Sequence, residues 1–392
     1  MAEIKEQTVR VENPGTIVTS APSRDNVVEM EPGSGMKLFR SFLKSTIHFD
    51  ASDLIIKAGY APKVRLRGTL KPLKVDSVSR DEMFQNAREV LDEEQYDSFR
   101  HRGSADFAYA YDDDSRFRVN MFMARGNPAI AARLITSNII GFEQLRLQNP
   151  EVMADVAMSA QGLVLLSGVT GSGKSTTIAA MLQYINERKA VHIVTIEDPI
   201  EYIFKDAKAF INQREVGIDC VDFNDALRAL VRENPDVVLI GEMRDKETFE
   251  AAIRAAETGH LVFGTIHASS AWQSFGRIYD LFTPGEREQI RKLLAYNLQA
   301  IIYQKLLPTL HKDIGRIPAI EILLNTTVVR KFILEGREGE LLDVIRNNRE
   351  AGMIDFTSSL VQLVEDEYIH YKIAMAATPN PEELSMRLKG IS

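Results

Sequence analysis

The sequence predicts an α/β fold, a parallel sheet whose strands alternate with helices, preceded by a smaller α+β domain. Three observations carry this. Four short apolar runs, 163–166, 192–196, 237–240 and 261–266, are separated by stretches of helical periodicity, the pattern of strands buried on both faces. Each run ends at once in a polar residue or a glycine-rich turn: Gly168 after the first, Glu197 and Asp198 after the second, then Glu242, then His267. Ligands of open parallel sheets lie beyond the carboxyl ends of the strands, so four separate runs direct their chemistry at one edge. Before residue 137 the pattern differs, with period-two alternation and a strand–turn–strand segment.

Along the chain, residues 1–35 are polar, contain Pro14, Pro22 and Pro32, show no periodicity, and are expected to be a disordered extension. The small α+β domain spans 36–137. It opens on Leu38, Phe39, Phe42 and Leu43, which share one helical face. A strand is expected over Lys63–Leu70, a helix over Arg80–Arg100, and strands at 107–111 and 116–122. Residues 138–150 read as a linker, and 151–392 as the parallel α/β domain with a mostly helical C-terminal region from about 309. Ile290, Leu293, Leu294, Leu298, Ile301 and Ile302 recur as one core-facing helical stripe.

Composition narrows the class. At 392 residues and 45% hydrophobic, the chain can bury two cores. No apolar run reaches membrane-spanning length, and Glu3 and Glu6 stand where a targeting segment would be basic, so a cytoplasmic protein with no direct membrane insertion is expected. A single cysteine, Cys220, excludes an internal disulfide and any multi-cysteine zinc site. The net charge of −8 argues against a nucleic-acid partner.

The segment Gly168-Val169-Thr170-Gly171-Ser172-Gly173-Lys174-Ser175 fits the phosphate-binding pattern G-x-x-x-x-G-K-[ST]. It lies between an apolar strand and a helix in which Ile178, Met181, Leu182 and Ile185 share a face. Glycines let backbone N–H groups turn towards phosphates, and the helix N-terminus adds partial positive charge. Lys174 is expected to reach the β- and γ-phosphates and Ser175 to offer its hydroxyl to Mg²⁺, so the chain binds a nucleoside triphosphate. Hydrolysis needs a positioned water, and Glu242 at the end of Val237–Gly241 is the candidate to polarise it. Gly241 stands where phosphate-loop enzymes usually carry an Asp, so the metal falls to Ser175 with help from Glu197 or Asp198. His267 suits either a γ-phosphate contact or a structural role. Arg228 and Arg232, four apart on a helix that Pro235 must end, suit either charge-stabilising fingers or a solvated face beside Asp225 and Glu233.

These motifs resemble those of the secretion and type IV pilus ATPases, most closely the PilT/PilU-type retraction (twitching-motility) branch. The matching blocks are Gly168–Thr176 (GVTGSGKST), Thr195–Glu201 (TIEDPIE), Pro235–Asp245 (PDVVLIGEMRD) and Ala256–Ala271 (AETGHLVFGTIHASSA), with Asp50–Gly59 (DASDLIIKAG) resembling the family's N-terminal signature. The resemblance implies a PAS-like domain joined to a RecA-like ATPase domain in a homo-hexameric ring. It implies ATP/ADP and Mg²⁺ at residues including Thr176, Glu242 as catalytic glutamate, Glu197 in the Asp box, and His267 as the His-box histidine. It also implies arginines that reach the phosphates, at Arg118 and Arg133 in the first domain and at Arg228 and Arg232 in the second. The expected activity is pilus retraction through an inner-membrane platform protein, which would hold the chain peripherally at that membrane. Extension and type II secretion motors usually carry a further N-terminal domain and a four-cysteine zinc insert, which this length and the lone Cys220 argue against. A DNA translocase on the same core is disfavoured by the acidic charge. Val328–Ile333 (VVRKFI) stands where the main retraction ATPase has an AIRNLI-like motif, and Lys331 in place of Asn points to a low-turnover accessory paralogue working beside a paralogous retraction ATPase.

Overall fold

The computed structural model describes residues 35–390 except 67, 113, 114, 231 and 312, together with three short segments nearer the N-terminus. Most of the extension expected to be disordered lies outside the described residues. Its described parts are strands β1 (Val9–Val11), β2 (Thr16–Thr19) and β3 (Val28–Glu29), which pair antiparallel. Contacts divide the chain into two units between Ser137 and Asn138.

The first unit is a six-stranded antiparallel sheet with helices against one face. Its strands are β4 (Asp53–Lys57), β5 (Lys63–Leu66), β6 (Thr69–Pro72), β7 (Ser104–Ala110), β8 (Ser115–Ala124) and β9 (Asn127–Thr136), in the order β6-β5-β4-β9-β8-β7. Alternation sends Leu54, Ile56, Phe117, Val119, Met121 and Ile130 inward to pack with Phe39, Leu43, Met83 and Phe99 of the helices. The sequence expectation of one strand over 63–70 is corrected. Gly68, at φ +82°, turns the chain there, and two strands form a hairpin. The single helix expected over 80–100 is also two, Arg80–Val90 and Glu93–Arg102. Asp92 breaks it by starting the second with a reciprocal capping box: its carboxylate accepts from the Gln95 N–H at 2.8 Å, and its own N–H donates to the Gln95 side chain at 3.2 Å.

The second unit holds a seven-stranded sheet in the order β12-β11-β13-β14-β10-β15-β16. The strands are β10 (Gly162–Ser167), β11 (His192–Glu197), β12 (Phe210–Glu215), β13 (Val237–Ile240), β14 (Leu261–Ile266), β15 (Leu298–Pro308) and β16 (Arg316–Leu324). All neighbours run parallel except β16, which is antiparallel to β15. The four anticipated apolar runs are β10, β11, β13 and β14, buried along almost their whole length.

The helical stripe from Ile290 to Ile302 is corrected: the helix stops at Asn297, and Leu298 begins β15. The Asn325 side chain donates to the Ala295 and Leu298 carbonyls at 3.0 and 2.8 Å, satisfying groups that a continuing helix would have bonded. Because β15 and β16 are buried on both faces, they read as continuous apolar runs, which periodicity cannot separate from a buried helix. The C-terminal region is therefore a strand, β16, followed by helices that include Thr327–Leu334 and Phe356–Glu365.

The stretch expected as a linker, 138–150, packs into the second unit. Phe142 is buried with its ring 5.2 Å from that of Tyr184. Gln148 is buried too, and Ser359 donates to its side-chain oxygen at 3.3 Å. Phe142→Ala should therefore destabilise the chain by about 3 kcal/mol, measured as a shift in the urea midpoint. An unchanged midpoint would return this stretch to a passive connection.

Candidate functional site

The phosphate loop spans the turn from the end of β10 to the helix Lys174–Asn186. Gly168 and Gly173 take φ of +144° and +89°, and a Cβ on either would lie 2.4 Å from the Gln304 carbonyl oxygen and 2.6 Å from its Nε2, respectively. Only glycine fits there, on grounds of both dihedral and space. Lys174 is 9% exposed, and its Nζ donates to the Gly168 and Val169 carbonyls at 2.8 and 3.2 Å. Burial lowers its pKa below the usual lysine range, against the pull of Glu242 and Glu201. Thr170 and Gly171 are exposed at the loop's crest, while the Ser172 hydroxyl is buried with no partner among the described residues.

Beside the loop, a cavity of about 30 Å³ is lined by Ser175, Glu197, Tyr202, Gly241 and Thr265, among others. Burial pushes the Glu197 carboxyl up to about 7, opposed by hydrogen bonds from Thr195 (2.7 Å), Gln213 (3.3 Å) and the Glu201 N–H (3.4 Å). Thr176 and Tyr202 share a hydroxyl–hydroxyl bond of 2.7 Å. No cluster of three or more acidic, histidine or cysteine side chains among the described residues forms a metal cage. The Ser175 hydroxyl and the Glu197 carboxylate on one small cavity fit Mg²⁺, which typically uses one or two protein oxygens and completes its shell with phosphate and water.

Pairing of β13 with β14, Ile240 opposite Gly264, brings the ends of both strands together. Glu242 there meets His267, with Oε1 and Nε2 3.0 Å apart, and its other oxygen accepts from Arg244. That hydrogen bond from Arg244 holds the Glu242 carboxyl below the ordinary range, outweighing burial. Sequence reasoning missed Arg244, Tyr202, Gln213 and Gln304. Arg244 had a signal, a cation two residues past a strand-end glutamate. Gln304 had another, a buried amide within the largely apolar run of β15. Glu321 is the acidic counterpart on β16: fully enclosed, it accepts the Ala271 N–H at 2.7 Å and the Phe356 N–H at 3.3 Å. It thus ties the segment after His267 to the helix Phe356–Glu365.

The arginines fall differently. The expected shared helix for Arg228 and Arg232 is corrected: Arg228 lies in the helix Phe223–Leu230, and Arg232 stands in a turn outside it. Both arginines are exposed. Arg118 and Arg133 belong to the first unit, on the face of its sheet opposite the helices, where cross-strand pairing lines up Arg65, Asp53, Arg133 and Arg118 in one row. Asp53 pairs with Arg133 at 2.9 Å and Arg65 at 3.2 Å. A shallow cavity of about 340 Å³ there is lined by Asp53, Asp106, Arg118, Asn120 and Arg133.

Fold and site together define a phosphate-loop nucleoside triphosphatase with a RecA-like parallel sheet. Residues 38–352 match the family described as Type II/IV secretion system protein, and the chain belongs to that family. It is 39% identical over 324 residues to a twitching motility protein of Neisseria gonorrhoeae, covering 83% of this chain and 86% of that one. It is 36% identical to the type IV pilus ATPase PilU of Pseudomonas aeruginosa, covering 90% and 91%. Among solved structures, the pilus retraction motor PilT with bound ADP superposes with a TM-score of 0.81 at 41% identity, covering 88% of this chain and 98% of that one.

Two outcomes are expected at the site. Arg244→Ala should move the acid limb of the ATPase pH–rate profile upward, because Glu242 loses the cation that keeps it ionised; an unmoved limb would remove Arg244 from the site. Glu321, raised to about 7 from 4.5, binds a proton in the folded state that the unfolded chain has released. Its stabilising contribution is full below the unfolded pKa and is lost as pH rises through the folded one. Urea unfolding of Glu321→Gln between roughly pH 5 and 8 should show a flatter decline than the parent, by on the order of 2 kcal/mol. Parallel curves would contradict this.

Proposed function

We propose that this chain is an ATP-hydrolysing, homo-hexameric motor that drives type IV pilus retraction through an inner-membrane platform protein, sitting peripherally at that membrane. The observation that carries this reading is the convergence of Lys174, Glu197, Glu242 and His267 on one sheet edge, in a chain 41% identical to a pilus retraction motor seen with ADP. Among the described residues no helix is long and apolar enough to cross a membrane.

On this reading the residues take the following roles. The loop's N–H groups and Lys174 bind the β- and γ-phosphates, with Lys174 exchanging its two carbonyl partners for phosphate oxygens. Bound Mg²⁺ would neutralise charge on those oxygens, held by the Ser175 hydroxyl with Glu197 behind it. Glu242 accepts a proton from, or orients, the attacking water, and His267 beside it reports on the γ-phosphate. The exposed Arg228 and Arg232, and the Arg118–Arg133 row, supply positive charge to a site completed by a neighbouring subunit. A second reading, an accessory paralogue of low turnover, is favoured by Lys331. Its side chain is 68% exposed on the helix Thr327–Leu334, 3.9 Å from Glu335, and the PilU likeness spans nearly the whole chain.

The test is ATPase rate against protein concentration, with mass followed by light scattering. Activity should rise with ring formation. Glu242→Gln should cost about a hundredfold or more in kcat, and Lys174→Ala should abolish nucleotide binding. Normal turnover by either variant would overturn the ATPase assignment. A well-formed parental ring with little turnover would select the accessory reading.

A further inference from the structure

We propose that Gln304 is a positioning residue for the phosphate loop, a buried strut on β15 that sets the loop's peptide planes for an incoming polyphosphate. This rests on reading the loop as the nucleotide site. Gln304 is 2% exposed, and one amide group reaches both sides of Gly173. Its Nε2 donates to the Ser172 carbonyl at 2.8 Å, and its Oε1 accepts from the Thr177 hydroxyl at 2.7 Å. The end of the loop at Ser172 and the first turn of the following helix are thereby fastened to the strand next to β10.

The consequence lies in the peptide between Ser172 and Gly173. In a trans peptide the carbonyl and the N–H point in opposite directions. Drawing the Ser172 oxygen towards β15 therefore directs the Gly173 N–H away from β15, as a donor for phosphate rather than for the protein. Without the strut, that carbonyl is free to rotate towards the anion and oppose it. The glycines show the same strand setting the limit from the other side. A Cβ at Gly173 would meet the Gln304 amide and one at Gly168 would meet the Gln304 carbonyl oxygen, so both ends of the loop lie flush against a single residue. A glutamine serving the core alone would need neither contact.

Gln304→Met keeps length and volume while removing both hydrogen bonds. The full-length variant should show a Kd for fluorescent ADP and a KM for ATP raised about tenfold, with kcat changed far less and cooperative unfolding of the nucleotide-free chain retained. Thr177→Val, which loses one bond, should give a smaller rise in the same constants, and the double variant should add nothing to Gln304→Met. Gln304→Glu keeps the acceptor but loses the donor and should bind ADP no better than Gln304→Met. Unchanged Kd and KM in a folded Gln304→Met overturn the proposal. If that variant does not fold, unchanged constants in both Thr177→Val and Gln304→Glu do so instead. A parent chain that binds no ADP overturns the functional reading and the strut's role with it, whereas a parent that binds beside an unaffected variant overturns the strut alone.

Discussion

The inward-turned backbone between Gly168 and Gly173 is the constraint on which the rest of the second unit depends. Backbone N–H groups turned towards one place repel one another, so such a loop needs something outside it to hold its shape. Here three things hold it: the positive φ available to glycine, the Lys174 ammonium drawn onto two loop carbonyls, and the Gln304 amide. The last of these needs β10 and β15 as parallel neighbours, so the sheet order is a requirement of the loop as much as of the core.

The same sheet delivers acid and imidazole. The β13–β14 register decides that Glu242 and His267 meet, and the Met243 N–H bonded to the Thr265 carbonyl at 3.0 Å continues that pairing just past the strands. Behind this edge, Glu321 receives N–H groups from the segment after His267 and from the helix Phe356–Glu365. A rearrangement at His267 therefore has a short, packed route into the C-terminal helices, through a carboxylate with little freedom of its own.

Much of this was legible from residues alone, for a definite reason. Strands β10, β11, β13 and β14 are largely apolar and end in chemistry, so their edge could be read without coordinates. Glu197, Glu242 and His267 stood out as the first polar groups after such runs. The strands missed were those whose pattern is ambiguous: β12 mixes Asn212, Gln213 and Arg214 into its length, and β15 follows an amphipathic helix whose apolar spacing carries on across Asn297. Gln304 and Glu321 escaped because single polar residues inside apolar runs are usually tolerated exceptions. Their partners, the Ser172 carbonyl and the Ala271 N–H, lie 132 and 50 residues away and appear only in three dimensions. Asp92 and Gly68 interrupted elements by capping and turning, effects that periodicity over a window averages away.

The buried ammonium of Lys174 has a consequence for how such a chain can evolve. Its desolvation is borne when the protein folds rather than when the nucleotide arrives, and it weakens the native state for as long as the loop is empty. Selection for robustness and selection for activity then pull this position in opposite directions: a neutral side chain of similar length would give a sturdier protein and an inert one. Losing this lysine would spare the fold that desolvation but free the Gly168 and Val169 carbonyls, so the position answers to two opposed demands at once.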